Sequence, residues 1–284
     1  MGEFLADLPR HTFLQHALLT GILAGVACGI VGTYVVTRRI SYIAGSVAHS
    51  VLAGLGAAKY CQTVYEWTWL HPLYGAVVAA MVAAVIIGTV SIKARQREDT
   101  VIGAIWAIGM AVGILFIFRT PGYNEDLMSY LFGNILMVTS TDLWLLAGLD
   151  VLVVAVGLLF YNQLMAVCFD EEFARLRGIR VDLYYLILLC LTALTVVLLT
   201  TVVGIVMVIA LITLPAAAAG EFSRRLWHMM VLSAVFTVGF TTAGLTVSYS
   251  PNLPAGATTI VIAGAFYLAT VIGQRLRARI RRVQ

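Results

Sequence analysis

The chain has 284 residues, of which 61% are hydrophobic and only 11% are charged. This composition excludes a soluble domain with a single core and indicates a protein that crosses a membrane several times. The net charge of +4 follows from how the basic residues are distributed between the membrane sides, so no nucleic-acid partner is expected. The four cysteines are scattered without CxxC or Cys/His spacing, which predicts neither a disulfide framework nor a cysteine metal site.

Apolar runs of 17 to 24 residues recur along the chain, and about 20 residues of helix cross a bilayer core. The nine predicted spans are 14–37, 42–60, 73–92, 100–118, 142–161, 182–200, 203–219, 227–247 and 257–274. The seventh span is the shortest, and the count falls to eight if segment 203–219 is re-entrant. We expect an all-α polytopic membrane protein that forms one transmembrane domain over residues 1–284.

The basic residues orient these spans, because cytoplasmic loops of membrane proteins carry an excess of Lys and Arg. If the Arg38–Arg39 turn is cytoplasmic, 15 of the 18 Lys and Arg residues lie on the cytoplasmic side, and Arg10, Lys59 and Arg119 lie outside. This asymmetry predicts a multi-pass protein of the cytoplasmic membrane with its N-terminus outside and its C-terminus inside. The basic segment 275–282 is expected to lie near anionic lipid.

The first span carries Gly21, Gly25 and Gly29 at four-residue spacing. Small residues on one helix face let a second helix approach closely within a membrane. This glycine ladder therefore predicts a packing surface and no chemistry.

One histidine, His49, lies well inside the second span, on a helix face of small residues that includes Gly45 and Ala53. An ionisable group at membrane depth is costly and normally faces the protein interior or a water-filled path. His49 is therefore a candidate functional residue. The structural alternative is a neutral histidine that is hydrogen-bonded to a neighbouring helix.

Two more features of the membrane region are candidates for lining a path. Asp150 lies eight residues after Asp142, about 12 Å deeper along the fifth span. It either lines a path or sits protonated between helices, and the lack of a partner in the sequence favours the second interpretation. The seventh span has Gly204 near one end and Pro215 near the other, as in the broken helices of transporters, although plain kinks have the same signature.

Segment 170–178 predicts a short helix outside the membrane. Asp170 is a favourable N-cap, the two glutamates after it suit the positive start of a helix, and Gly178 suits its end. Phe173 and Leu176 are apolar positions on this helix. The segment is either a plain connector or a helix that docks into the groove of a partner.

Four blocks in this order resemble the membrane permease subunits of ABC importers for manganese, zinc and iron. They are Arg-Arg-Ile-Ser-Tyr-Ile from residue 38 with the later Ala-His at 48–49, Leu-Phe-Gly-Asn-Ile-Leu at 131–136, Phe-Asp-Glu-Glu-Phe-Ala-Arg-Leu-Arg-Gly at 169–178, and Val-Gly-Ile followed by Ala-Leu-Ile-Thr-Leu-Pro-Ala-Ala within 203–217. The resemblance runs over nearly the whole chain. It implies the permease fold of the vitamin- and siderophore-type importers.

The resemblance implies a permease subunit that moves a divalent transition-metal ion, namely zinc, manganese or iron, across the cytoplasmic membrane. A separate subunit is expected to bind ATP, because this chain contains no GxxxxGK motif followed by Ser or Thr. The chain is therefore expected to be a transport subunit and not an enzyme, with no permanently bound cofactor. The implied partners are a second copy in a homodimer, cytoplasmic ATPase subunits, an extracytoplasmic metal-binding protein and membrane lipid.

His49 matches the position of a metal ligand or gate in this family, with Ser46 and Ser50 as weaker oxygen ligands, and the homodimer is expected to bring two copies of His49 toward one ion. Much of the family reads Gly-Asp-x-x-x-His here, whereas this chain has Ala44 and Gly45 at the first two positions. Hard ions such as manganese prefer carboxylate oxygen, and imidazole also suits zinc and later transition metals. The missing carboxylate leaves the transported metal undecided.

The resemblance also places the contact with the ATPase on the helix at about 170–178. The residues implied in this coupling are Asp170, Glu171, Glu172, Phe173, Ala174 and Gly178. The main alternative function is an ion-coupled secondary metal transporter, which needs carboxylates in the membrane and finds only Asp150. An intramembrane hydrolase has no support, since the chain contains neither an HExxH motif nor a convincing serine or aspartate pair.

Overall fold

The computed structural model describes residues 7–93, 98–121, 133, 135–249, 251 and 253–283, and the regular structure in this part of the chain is helical. The helices are α1 (Thr12–Arg38), α2 (Ser41–Val64), α3 (Pro72–Lys93), α4 (Glu98–Arg119), α5 (Ser140–Leu159), α6 (Tyr161–Phe169), α7 (Glu171–Leu176), α8 (Val181–Val203), α9 (Ile205–Phe222), α10 (Leu226–Tyr249) and α11 (Ala255–Val283). A short 3-10 turn, Ile135–Met137, precedes α5. The predicted all-α fold is confirmed, while half of the block 131–136 lies outside the described residues.

Eight helices in the described part of the chain are long and apolar enough to cross a membrane, namely α1, α3, α4, α5, α8, α9, α10 and α11. The seventh predicted span is among them, because α9 has 18 residues. Helix α2, which contains the predicted span 42–60, is less apolar and is not among these eight. It has 24 residues and is therefore about 36 Å long, enough to cross a bilayer core.

Contacts at one end of the bundle show that α2 runs from that end of the bundle to the other. Arg38 at the end of α1 forms an ion pair with Glu171 of α7, and Ser91 near the end of α3 is hydrogen-bonded to Tyr185 of α8 at 3.2 Å. These four side chains line one small pocket, so α1 and α3 end on the same side. The helix between them must run back across the bundle. About half of α2 is buried, and this interior position allows it more polar residues than a lipid-facing span.

The helices form two groups that α8 joins. In one group α2 packs against α3 and α4, and in the other α1 packs against α5, α9 and α10, with α11 covering α9 and α10. The bridging helix α8 contacts α3 and α2 on one side and α1, α9 and α5 on the other. The core follows α1 and α8, which are the most deeply buried spans, whereas α4 and α11 bury the least of their surface.

The glycine ladder of α1 packs against α10. A Cβ atom added at Gly21, Gly25 or Gly29 would lie 2.6–2.7 Å from a side chain of α10. Since real Cβ atoms do not come so close, these glycines allow a helix contact that alanine would obstruct. The prediction of a packing surface is confirmed.

We expect opposite labelling of two positions by a membrane-impermeant maleimide in sealed right-side-out vesicles. A cysteine at Leu253, which is half exposed after α10, should react directly. A cysteine at Glu172 should react only after the vesicles are opened. This residue lies in α7, at the same end of the bundle as the Arg38–Arg39 turn. The reverse pattern would contradict the orientation.

The parent variant for this experiment has the two partly exposed native cysteines, Cys61 and Cys190, replaced. Cys168 can stay, because burial raises the pKa of its thiol to about 12, and the nearby Arg38 only partly opposes this rise. Its reactive thiolate is therefore scarce at neutral pH.

Candidate functional site

Helices α2 and α4 approach until the backbone of one touches the backbone of the other. A Cβ atom added at Gly109 would lie 2.9 Å from Cα of Ser50, and one added at Gly113 would lie 2.7 Å from the carbonyl carbon of Leu52. Glycine at these positions of α4 therefore allows the contact. Side chains of α2 near the contact are held against α4 and away from lipid.

His49 lies within this contact, with 9% of the residue exposed. Its imidazole stacks on the indole of Trp106 from α4, with ring centroids 4.5 Å apart and planes inclined by 20°. Such a pair contributes about 0.5–1.5 kcal/mol beyond the burial of its area. The Nδ1 atom of His49 is buried and finds no hydrogen-bond partner among the described residues, which costs about 1–3 kcal/mol. The described residues thus leave Nδ1 both unpaired and enclosed.

Both serines near His49 use their hydroxyl protons on the backbone. Ser46 Oγ donates to the carbonyl of Ile102 in α4 at 2.8 Å, and Ser50 Oγ donates to the carbonyl of Ser46 at 2.9 Å. Each oxygen keeps lone pairs but is a weak neutral ligand. Where side chains are described, no three His, Cys, Asp or Glu residues converge on a potential metal position. One protomer thus offers an ion at His49 only a partial ligand shell.

Trp106 also fills the space beside Gly45, one helical turn before His49. A Cβ atom added at Gly45 would lie 3.2 Å from Cζ3 of the indole and 3.9 Å from Cδ1 of Ile209 in α9. The indole therefore occupies the space into which a longer side chain at position 45 would extend. Sequence reasoning did not find Trp106, and its only signal was an indole inside an otherwise apolar span.

Asp150 lies in a different part of the bundle from His49. Its helix, α5, packs mainly against α1 and α8, and its carboxylate lies near the backbone of Ala27 and the thiol of Cys28. It is 8% exposed, and neither oxygen makes a well-formed hydrogen bond to the residues described. The structure thus does not bring Asp150 and His49 into one site.

Of the two breaks predicted in the seventh span, the one at Gly204 is present, whereas α9 continues through Pro215. Gly204 separates α8 from α9 with φ 83° and ψ 158°, a backbone conformation that only glycine adopts readily. Gly133, in the segment between α4 and α5, packs against the backbone there. Pro215 is buried inside α9, and Gly32 of α1 abuts the preceding carbonyl of Ile212. Their places in the described bundle are those of packing residues, and a role in the path stays a prediction.

The short helix α7 forms where the sequence predicts it. The side chain of Asp170 accepts a hydrogen bond from the N–H of Phe173 at 3.0 Å, as an N-cap does. Gly178 follows the helix with φ 77°, the left-handed conformation that commonly ends helices. The local sequence rules therefore suffice for this helix.

Two ion pairs tie α7 to the ends of two membrane spans. Glu171 pairs with Arg38 at the end of α1, and Arg175 pairs with Asp182 at the start of α8 at 2.5 Å. The Arg38 guanidinium also lies 5.5 Å from the ring centroid of Tyr185 in α8, within the range of a cation–π contact. A displacement of α7 would therefore pull on both α1 and α8.

The exposed side of α7 is apolar. Leu176 is 87% exposed and Phe173 is 48% exposed, and Phe169 just before the helix is 68% exposed. We call these three residues the apolar patch. Large apolar side chains at a water-facing end of a membrane protein indicate contact with a partner. Ala174, by contrast, is fully buried against the bundle.

Comparison with known proteins decides the family. The model of the ABC 3 transport family matches residues 10–274 of the chain. The chain belongs to the ABC 3 transport family. The identification with the permease subunits of metal-ion ABC importers, made from the four sequence blocks, is confirmed.

Two relatives and two solved structures show how far the similarity of this ABC 3 protein extends. A probable metal transport system membrane protein of Chlamydia pneumoniae is 37% identical over 94% of this chain and 92% of the relative. The manganese transport system membrane protein MntC of Halalkalibacterium halodurans is 34% identical over 93% and 88%. The structure of PsaBC from Streptococcus pneumoniae in complex with Fab matches with a TM-score of 0.83 and 31% identity over 95% of this chain and 94% of that chain. A putative metal-chelate type ABC transporter in an inward-facing conformation shares the fold, with a TM-score of 0.70 at 14% identity.

Among the predicted coupling residues of this ABC 3 protein, Ala174 has a position unsuited to contact with another subunit. The capping and pairing residues Asp170 and Glu171 stabilise α7, and Glu172 and Phe173 face outward. Ala174 faces the bundle instead. Ala174 therefore seats α7 on the bundle, and a role in coupling stays a prediction.

We expect Ala174→Glu to destabilise the permease itself, by several kcal/mol, because it places a charge in a fully buried position. Leu176→Glu on the exposed side should leave stability within about 0.5 kcal/mol, as is usual for a surface substitution. Thermal unfolding in detergent, followed by size-exclusion fluorescence, measures both. Equal melting temperatures for the two variants would contradict the assigned sides of α7.

Proposed function

We propose that this chain is the membrane-spanning subunit of an ABC importer that carries a divalent transition-metal ion, namely zinc, manganese or iron, into the cytoplasm. The observation that carries the proposal is the family match over residues 10–274. Membership in an ABC family argues against an ion-coupled secondary transporter, which needs no ATPase partner. Among the three ions, manganese has the support of relatives whose names include it.

In this proposal the ion passes His49. The Nδ1 atom is buried and unpaired among the described residues, and neutral imidazole nitrogen is a good ligand for transition metals. Ser46 and Ser50 lie on the same helix close to it and offer weak oxygen ligands. A partial shell of this kind suits transport, because an ion that is held too tightly does not leave.

ATP-driven movement reaches the path through α7. The proposed ATPase, with ATP bound to it, docks on the apolar patch and displaces α7 when it closes. The ion pairs of Glu171 and Arg175 then pass the movement to α1 and α8. The turn after Arg38 leads directly into α2, where His49 lies eight residues, or about 12 Å, from the first residue Ser41.

The proposed assembly includes a second copy of the chain and an external metal-binding protein. Helix α4 is held mainly by α2, and its other face is uncovered in the protomer. This face carries Ala104, Ala107 and Ala111, and small residues at such spacing favour helix contacts within a membrane. His49 lies beneath Trp106 in its own protomer, so two copies of His49 share one ion only if that indole moves.

We expect His49→Ala to reduce metal uptake at least tenfold, because the substitution removes the strong metal ligand that the described residues place at this site. His49→Gln should not restore uptake, since an amide resembles histidine in size but is a poor metal ligand. Uptake of radiolabelled manganese and zinc in cells without other importers measures the effect, with protein amount checked by immunoblot.

The matched control is His71→Ala. His71 lies in the outer turn before α3, where its Nδ1 accepts a hydrogen bond from the N–H of Leu73, and its replacement should leave uptake within about twofold. Normal transport by His49→Gln would show that His49 is a packing residue and that the metal passes elsewhere.

We expect Leu176→Glu to abolish transport while the permease stays folded, because a charge replaces an apolar contact with the ATPase. Leu176→Met should retain transport, since it preserves the apolar contact. Copurification of the ATPase with the tagged permease, together with uptake, separates loss of assembly from loss of coupling. Normal uptake by Leu176→Glu would argue that α7 is a plain connector.

A further inference from the structure

We propose that Trp106 determines the metal preference of the His49 site by keeping position 45 free of a side chain and hence free of a carboxylate. The inference rests on the proposed function, in which His49 contacts the ion. It concerns what else the ion can meet there.

Position 45 lies one helical turn before His49, where the family resemblance expects a second ligand. Residues four apart on a helix lie on the same face, one above the other. A carboxylate at position 45 would thus stand beside the imidazole of His49, and oxygen and nitrogen together would form a shell that a hard ion accepts. The residue present is glycine, which contributes no ligand atom.

The indole of Trp106 is what fills this place. It stacks on His49 at 4.5 Å, and its Cζ3 atom would lie 3.2 Å from a Cβ atom at Gly45. A contact this short requires the indole to give way by a few tenths of an ångström, and the carboxylate of an aspartate needs space beyond that of its Cβ. One aromatic side chain therefore governs both positions.

Contacts on both sides of Trp106 hold α2 and α4 close together. Before it, Ser46 Oγ donates to the carbonyl of Ile102 at 2.8 Å. After it, Gly109 packs directly against the backbone of Ser50. A side chain at position 45 is admitted only when the indole is absent or turned away, so residues 45 and 106 form a coupled pair.

The test is a double-mutant cycle in the full-length permease, reconstituted in nanodiscs, with Gly45→Asp, Trp106→Ala and the combined variant. Gly45→Asp alone should lower the melting temperature without tightening binding of Mn²⁺. In the combined variant the melting temperature should return to that of Trp106→Ala. Calorimetric titration should there show Mn²⁺ binding at least tenfold tighter than in Trp106→Ala, with the preference for Mn²⁺ over Zn²⁺ raised at least tenfold.

Trp144→Ala, which removes an exposed indole from α5, is the matched control and should leave the metal preference unchanged when combined with Gly45→Asp. A tenfold gain for Mn²⁺ in Gly45→Asp alone would overturn the proposal, and so would additive changes in melting temperature. If His49→Ala transports normally while the stability cycle is non-additive, the proposed path is wrong and Trp106 only excludes a side chain. If no variant binds metal, the role in metal preference is overturned as well.

Discussion

The close approach of α2 and α4 is the contact on which the candidate site depends. Without a hydrophobic force between helices in lipid, such an approach needs small residues that let backbones touch. Gly109 and Gly113 of α4 provide it, and the hydrogen bond from Ser46 to Ile102 holds the register. His49 is then enclosed by the protein, with Trp106 as its neighbour.

His49 and Asp150 both carry buried polar atoms at membrane depth without partners among the described residues, and their surroundings differ. The Nδ1 atom of His49 lies in a contact between two helices of which one, α4, has an uncovered face. Asp150 is enclosed by α5 and the central helix α1, and a protonated carboxyl there is a simple way to avoid a buried charge. A change in the relation of α4 to its neighbours reaches His49 directly, whereas Asp150 belongs to the core.

A small number of contacts joins helix α7 to the membrane spans. Helix α7 is capped by Asp170 and seated by Ala174, and its ion pairs reach α1 and α8. Exposed ion pairs contribute little to stability, typically 0–1 kcal/mol. Their importance here lies in direction, because they join a surface helix to the two most deeply buried spans.

The sequence by itself determined the fold class, the number and limits of most helices and the helix α7, because hydropathy, capping and helix-breaking residues act over a few neighbouring positions. It also singled out His49, since an ionisable residue in an apolar span is visible without any structure. The predicted span 42–60 lies within α2, which carries more polar residues than the lipid-facing spans because an interior helix does not need the apolar surface that lipid demands. Only the tertiary structure decided that Trp106 stacks on His49, that its ring closes position 45 and that Ala174 faces inward. These facts depend on which helix faces meet, and that is decided by contacts between segments far apart in the sequence. No local pattern in the chain records that pairing.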